Sequence, residues 1–474
     1  MWGLRHNRTF DEIAVGDTAE VSRTLTPNDL VVFAHASGNL NPVHLAGSAS
    51  FMADGQKEAV APSAWVSALI SCVLGMELPG PGTLYQSQTL AFQGRVHLGD
   101  VVTVKVRVIA KGEGRIVRLA TSVTCSDGKL VADGEATVIA PAERRYASVA
   151  ALPEIVVERH VHFDRLLGIA RTLPALSTAV VCPGDGKVLK GALLAAEAGL
   201  IVPVLVGPRA ATMAAAREID ADIDGFQIID AEDDHDAARR AVALVREGEV
   251  ANLMKGHLHS DVFLSAVLSK DGGLRGRRRL SHVFVADLPG RAAPLLITDA
   301  AINIAPTLEA KVDIVQNAID LARAIGIATP LVGVLAAIET VNPAMQSTLD
   351  AAVLSKMAER GQIRGGIVDG PLAMDNAVDL DAAKGKGIRS LVAGHADVLV
   401  VPNLEAGNML AKELAYVGHA EMAGIVMGAR VPLILNSRAD NEKSRLASAT
   451  IALLVENWQR TGVGVQPPLA VAAE

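Results

Sequence analysis

A chain of 474 residues with net charge −8 exceeds one ordinary domain and has room for about three. Half of it is hydrophobic but only 3% is aromatic, so Ala, Val, Leu and Ile must fill its cores. Both signs of charge are spread along the chain, which leaves no nucleic-acid footprint. Pro, Gly or charge interrupts every long apolar run, which argues against a membrane-spanning helix. Cys72, Cys125 and Cys182 are too scattered for a disulfide framework or a metal site. The opening MWGLRHNRTFDEIAVGD has no apolar signal core, so a cytoplasmic protein without membrane, nucleic-acid or metal partners is expected.

In the first 145 residues, Thr26-Pro27-Asn28-Asp29 reads as a helix start: a capping hydroxyl, Pro at the first position, then an acid. This helix should end near Ser37-Gly38, and Pro42 bars its continuation. Pro62 to Met76 is apolar on nearly every side (Trp65, Val66, Leu69, Ile70, Val73, Leu74) and should be a buried helix. Val102, Val104, Val106 and Val108 alternate with polar residues, as do Val117, Leu119, Thr121 and Val123. Asp127-Gly128 then turns into a further strand over 130–139. One buried helix wrapped by an antiparallel meander is a hot-dog arrangement.

Between the two helices lies Ser37-Gly38-Asn39-Leu40-Asn41-Pro42-Val43-His44. It resembles the signature of MaoC-like hot-dog hydratases, Ser/Thr-Gly-Asp-x-Asn-Pro-x-His. In that family the Asp and His hold and activate the water that adds to an enoyl-CoA. Here the His is His44 and the Asp is replaced by Asn39, an amide that cannot take a proton. The catalytic candidates are therefore His44 as base and Asn39 as a water-positioning group. Three readings stand side by side: a weakened hydratase, an acyl-CoA-binding module, or a hydratase for which Asn suffices. A loop histidine that only holds the turn is the plainer alternative.

Residues 146–161 lose periodicity and are read as a linker. From 162 to 474 the pattern is short apolar runs (178–182, 201–206, 250–254, 282–286, 295–297, 331–335, 366–368, 398–401) separated by helical segments such as 308–325 and 345–360. The fold class expected is therefore multidomain: α+β, then a two-lobed α/β part with mostly parallel sheets. Gly184-Asp185-Gly186-Lys187-Val188 lacks the residues of a phosphate-binding P-loop, and no strand ends in a dinucleotide fingerprint. Asp299 and Asp369 each follow an apolar run and are read as structural caps.

PNLEAGNMLAK (402–412) and AGIVMGARVPLILNSRAD (423–440) resemble the phosphate acetyl/butyryltransferase family, and the likeness extends back to about residue 160, roughly two-thirds of the chain. The resemblance implies two α/β subdomains, the second inserted at roughly 294–424, with the site between them. It implies acyl transfer between acyl-CoA and phosphate, with both as substrates and no permanently bound cofactor, in a homo-oligomer. Ser437 would donate to the sulfur or oxyanion, and Arg438 would bind phosphate. The acetyltransferase branch has a basic Asp seven residues past that Ser, where this chain has Ser444. Asp440 and Glu442 are the nearest carboxylates, and Asp440 is the catalytic candidate. Lys255, Arg279, Glu405, Gly407, Asn408 and Lys412 would contact substrate. Tyr416 stands where that branch has an Arg, a difference that favours other acyl groups. Two alternatives remain: a non-catalytic acyl-CoA scaffold, and a chain that is primarily a hydratase. Relationship to metal-dependent decarboxylases ranks low, because no carboxylate cluster is evident.

Overall fold

A computed structural model describes residues 5–45, 59–147, 160–437 and 440–465. The chain forms two compact units, Met1–Val157 and Glu158–Glu474.

In the first unit, Thr26 caps the Pro27–Ser37 helix by accepting the Asp29 N–H, and Asp29 reaches back to the Thr26 N–H. Gly38, at φ +69°, ends it in the left-handed conformation that glycine adopts without penalty. The Ser63–Met76 helix buries Trp65, Val66, Ile70, Val73 and Leu74. Each contributes about 1.5–3 kcal/mol of apolar burial. It packs against a five-stranded antiparallel sheet in the order Thr18–Thr24, Val101–Lys111, Ile116–Cys125, Leu130–Ile139, Leu84–Phe92. Val102, Val104, Val106 and Val108 all face that core, as their alternation predicts. The hot-dog arrangement is thus present. A short pair, Arg5–His6 with Tyr146–Ala147, completes the unit's described strands.

The second unit is built on an eleven-stranded sheet. Its order is Gln227–Asp230, Ile201–Gly207, Leu176–Val181, Asn252–Lys255, Leu433–Ile434, Glu421–Met427, Ser281–Asp287, Leu295–Thr298, Val398–Val400, Leu331–Leu335, Ile367–Leu372. The first five strands form one parallel block and the last four another. The two central strands, Glu421–Met427 and Ser281–Asp287, run antiparallel to each other and to their outer neighbours. The four-strand block comes entirely from residues between those two central strands. Helices cover the sheet, and the Glu442–Thr461 helix packs on both Glu421–Met427 and the Gly186–Glu197 helix. Asp185 caps the latter by accepting the Lys187 and Val188 N–H groups, the ordinary structural use of such a residue.

Candidate active site

The short Leu433–Ile434 strand lies parallel to Leu253–Met254, so Leu435 follows beside Lys255 at the carboxyl end of the sheet. Ligands of open α/β sheets bind at that end. There the chain turns through Asn436-Ser437. The Asp440 carboxylate accepts the Ser437 backbone N–H (2.8 Å) and the Asn436 amide (3.1 Å) through one oxygen, Oδ2. Asn436 also donates to the Ser448 hydroxyl (3.1 Å), which in turn accepts the Gly424 N–H (3.0 Å). The Ser437 turn is therefore tied to the final helix and to the central strand. Arg438 lies outside the described residues.

A second tie comes from Arg445. Its guanidinium donates through Nη2 to the Ser437 carbonyl (3.1 Å), and the residue is 1% exposed. Gly191 makes room for it: a Cβ there would stand 2.5 Å from Arg445 Cδ. Arg445 Nε and Nη1 have no hydrogen-bond partner. Burial pushes the Arg445 pKa below its ordinary value, and nearby Asp440, Asp185 and Glu442 oppose that shift. Arg445 is not part of the cavity wall beside Ser437; its guanidinium braces the serine turn from behind.

The facing wall is the Leu404–Tyr416 helix, capped by Asn403 accepting the Ala406 N–H (2.9 Å). Gly407 sits tight on the Asp299–Asn303 loop and its neighbours: a Cβ would lie 2.7 Å from Val401 Cγ2 and 2.9 Å from Ala300 Cβ. One residue on, Asn408 donates to the Ala300 carbonyl (3.3 Å). Asp299 organises that loop by accepting the Ala301, Ile302 and Asn303 N–H groups, as a structural cap should. Helix and turn enclose a cavity of about 250 Å³ whose wall includes Asn408, Lys412, Asn436, Ser437 and Asp440. Glu405 is exposed in the helix's first turn, outside that wall.

His282 belongs to the same wall. It is fully buried, with Nε2 3.3 Å from the Leu435 carbonyl and no partner at Nδ1. Burial depresses its pKa, so the ring is neutral; Nε2 carries the proton and Nδ1 is an acceptor. Lys255 is also buried, with Nζ 3.4 Å from the Gly256 carbonyl. Nearby Cys182 donates its thiol proton to Asp234 (3.4 Å), and burial pushes its pKa up, which keeps it from acting as a nucleophile. Arg279 is elsewhere. Its N–H donates to Asp313 (2.9 Å), and its side chain lines a cavity of about 640 Å³ with Arg275, Arg278 and Asn303. The Asp299–Asn303 loop connects the two spaces, with Ala301 on one wall and Asn303 on the other.

In the first unit, His44 Nδ1 lies 2.8 Å from the Val60 carbonyl, so Nδ1 carries the proton and Nε2 is the acceptor in the neutral ring. Asn39 Oδ1 accepts the Asn41 N–H (3.2 Å), and Asn41 Oδ1 accepts the Val43 N–H (3.3 Å). Both candidates thus lie on one hydrogen-bonded loop, and residues 46–58 after it lie outside the described set.

Sequence reasoning missed Arg445, His282, Asn436 and Ser448. Arg445 had a readable signal: a charged residue on the otherwise buried face of the last helix, in step with Ser448, Ala449 and Ala452.

The profile described as "Phosphate acetyl/butaryl transferase" matches residues 234–453, and that of "MaoC like domain" matches residues 13–128. The phosphate acetyltransferase of Rhizobium meliloti is 55% identical over 292 residues, 62% of this chain and 92% of the relative. The phosphate butyryltransferase of Clostridium beijerinckii is 40% identical over 294 residues, 62% of this chain and 97% of the relative. The crystal structure of a branched-chain phosphotransacylase from Enterococcus faecalis V583 has a TM-score of 0.53 and 29% identity, covering 59% of this chain and 99% of that one.

Proposed function

The chain belongs to the phosphate acetyl/butyryltransferase family through its second unit, and from that premise we propose that it converts a short-chain acyl-CoA and phosphate into acyl phosphate and CoA at the Ser437 turn. The first unit carries a MaoC-like, hydratase-like domain. The observation that supports this reading best is the Ser437 turn itself. Asp440 and the buried Arg445 hold it at a strand end, facing Asn408 and Lys412.

In the forward direction a phosphate oxygen attacks the thioester carbonyl carbon and forms a C–O bond. The carbonyl oxygen becomes an oxyanion, which the Ser437 hydroxyl stabilises. Collapse breaks the C–S bond, and CoA leaves as the thiol when Asp440 passes to sulfur the proton that the attacking hydrogen phosphate gives up. Arg438 holds phosphate in a planar fork of donors, and Arg445 adds positive charge behind the turn. Asp440 orients the turn; in reverse it takes the thiol proton of CoA. Lys255, Lys412 and Asn408 bind polar parts of the two substrates, and Glu405 and Gly407 fix the helix that carries Asn408. Arg279 and its neighbours meet the phosphates of CoA. No bound cofactor takes part. Roughly 294–424 is the inserted lobe.

The first unit binds an enoyl-CoA, with His44 Nε2 as the water's proton acceptor and Asn39 as the water's anchor. Because Asn39 cannot share the proton, hydration is slow. The exposed apolar side chains Leu84, Tyr85 and Phe92 on an edge strand support a homo-oligomer, and three free cysteines fit the reducing cytoplasm.

Replacing Arg438 by Ala separates catalyst from scaffold. The proposal expects phosphate-dependent CoA release to fall by about 10²-fold or more while a CoA ester still binds. Unchanged turnover would mean that Arg438 does not hold the reacting phosphate.

A further inference from the structure

A glycine in the middle of a helix is unfavourable, because an alanine there loses less backbone freedom on folding. The Gly186–Glu197 helix nevertheless carries a buried glycine at its centre, Gly191. Arg445 uses the space that the missing side chain leaves. A Cβ at Gly191 would stand 2.5 Å from Arg445 Cδ, 3.0 Å from its Cβ and 3.3 Å from its Cγ. The aliphatic stem of Arg445 therefore lies along the glycine.

Arg445 itself is placed against several ordinary preferences. It is 1% exposed, and its Nε and Nη1 have no partner. It also stands in the first turn of the Glu442–Thr461 helix, where the backbone N–H groups already form the positive end of the dipole. Asp440, Asp185 and Glu442 offset part of this by charge alone. Among the described residues, the guanidinium makes one hydrogen bond, from Nη2 to the Ser437 carbonyl (3.1 Å). That bond is the only directed contact that such a placement gains. The glycine-bearing helix is in turn held in place: Asp185 caps its start, and Lys190 pairs with Glu442 of the last helix (3.0 Å). None of its residues belongs to the wall of the cavity beside Ser437.

We infer that Gly191 is a positioning residue for acyl transfer and acts through Arg445. The inference rests on the acyltransferase reading above. The bare backbone at 191 fixes the path of the Arg445 stem. That path fixes where the Ser437 carbonyl stands, and with it the Ser437 hydroxyl against the reacting thioester. A methyl group at 191 pushes the guanidinium off the turn, and a misplacement of about 1 Å at a reacting group costs roughly 10²-fold.

The test measures phosphate-dependent CoA release from butyryl-CoA by the full chain, with kcat and KM separated, together with Tm. The variants are Gly191→Ala, Arg445→Ala, the two combined, and Arg445→Lys. Gly191→Ala should lower kcat by about tenfold to 10²-fold and leave KM for butyryl-CoA near the parent's. Arg445→Ala removes Cδ and leaves only the 3.0 Å approach of its Cβ, so adding Gly191→Ala to it should lower kcat little further. Arg445→Lys, which keeps a cation on the same stem, should retain more turnover than Arg445→Ala. Should Gly191→Ala alone fail to fold, the combined variant keeps the test decisive: it must fold and match the kcat of Arg445→Ala. An unchanged kcat in Gly191→Ala, or losses that multiply independently in the combined variant, overturns the inference. Absence of phosphate-dependent release by the parent from both acetyl- and butyryl-CoA overturns the acyltransferase reading, and this inference with it.

Discussion

Asn39 differs from a carboxylate by one proton-accepting oxygen, and its local geometry suits either group. Its Oδ1 accepts the Asn41 N–H at 3.2 Å, which a carboxylate oxygen would do as well. Asn39→Asp should therefore restore a second proton acceptor to the loop without disturbing it. The expected outcome is a rise in hydration of a short enoyl-CoA, towards the ~10²–10⁴-fold that one acid–base group contributes. Loss of enoyl absorbance measures it, and an unchanged rate would show that His44 is not working with this position. His282 gives a residue-scale prediction of another kind. Burial holds its folded pKa below the ordinary 6.5, so below that value the unfolded chain takes up a proton that the folded chain refuses. Stability therefore rises with pH in the window between the depressed folded value and 6.5. The full benefit is present above 6.5 and is lost as the pH falls towards the depressed folded value. Urea unfolding at pH 5.5 and 7 should show that dependence in the parent, and His282→Asn should weaken it; equal pH dependence would contradict the assignment. Ser437, Asp440 and Asn408 were legible in the sequence because they sit in long ordered motifs. His282 was not, since an isolated His in an apolar run gives no sign of what compensates its burial, and Arg445 was marked only by its place on an otherwise buried helix face.

At the scale of elements, the Leu404–Tyr416 helix carries the weight, because it supplies one wall of the cavity and is seated through Gly407. A methyl at Gly407 would lie 2.7 Å from Val401 Cγ2 and 3.0 Å from Ala300 Cα, part of which is backbone that cannot swing away. Gly407→Ala should therefore lift the helix off its loop, costing about 1–3 kcal/mol by overpacking and displacing Asn408 and Lys412. Thermal unfolding together with acyltransferase kinetics checks this: a lower Tm with raised KM is expected, and an unaltered Tm would mean that the seat has slack. Most helices and strands were readable from periodicity and caps, as at Thr26-Pro27 and the Val102–Val108 alternation. The Gln227–Asp230 strand escaped because it is at the sheet edge and only half-buried, so no apolar run marks it. Glu421–Met427 was hidden differently. Its apolar residues were absorbed into a motif, and its antiparallel pairing with Ser281–Asp287 depends on a partner far away in sequence.

For the whole molecule, the alternating runs pointed to mostly parallel α/β architecture, and two parallel blocks bear that out. The continuity of eleven strands through an antiparallel centre was not legible, because strand order is decided by long-range pairing that local patterns do not encode. Each unit has its own apolar core, one under the MaoC-like match and the other under the acyltransferase match. The second unit transfers an acyl group between CoA and phosphate. The measurement that tests it most directly is the release of free CoA from butyryl-CoA by the full chain, with and without inorganic phosphate. Release should require phosphate and yield acyl phosphate in equal amount. Release indifferent to phosphate, or none from any short-chain ester while an enoyl-CoA is hydrated, would contradict it.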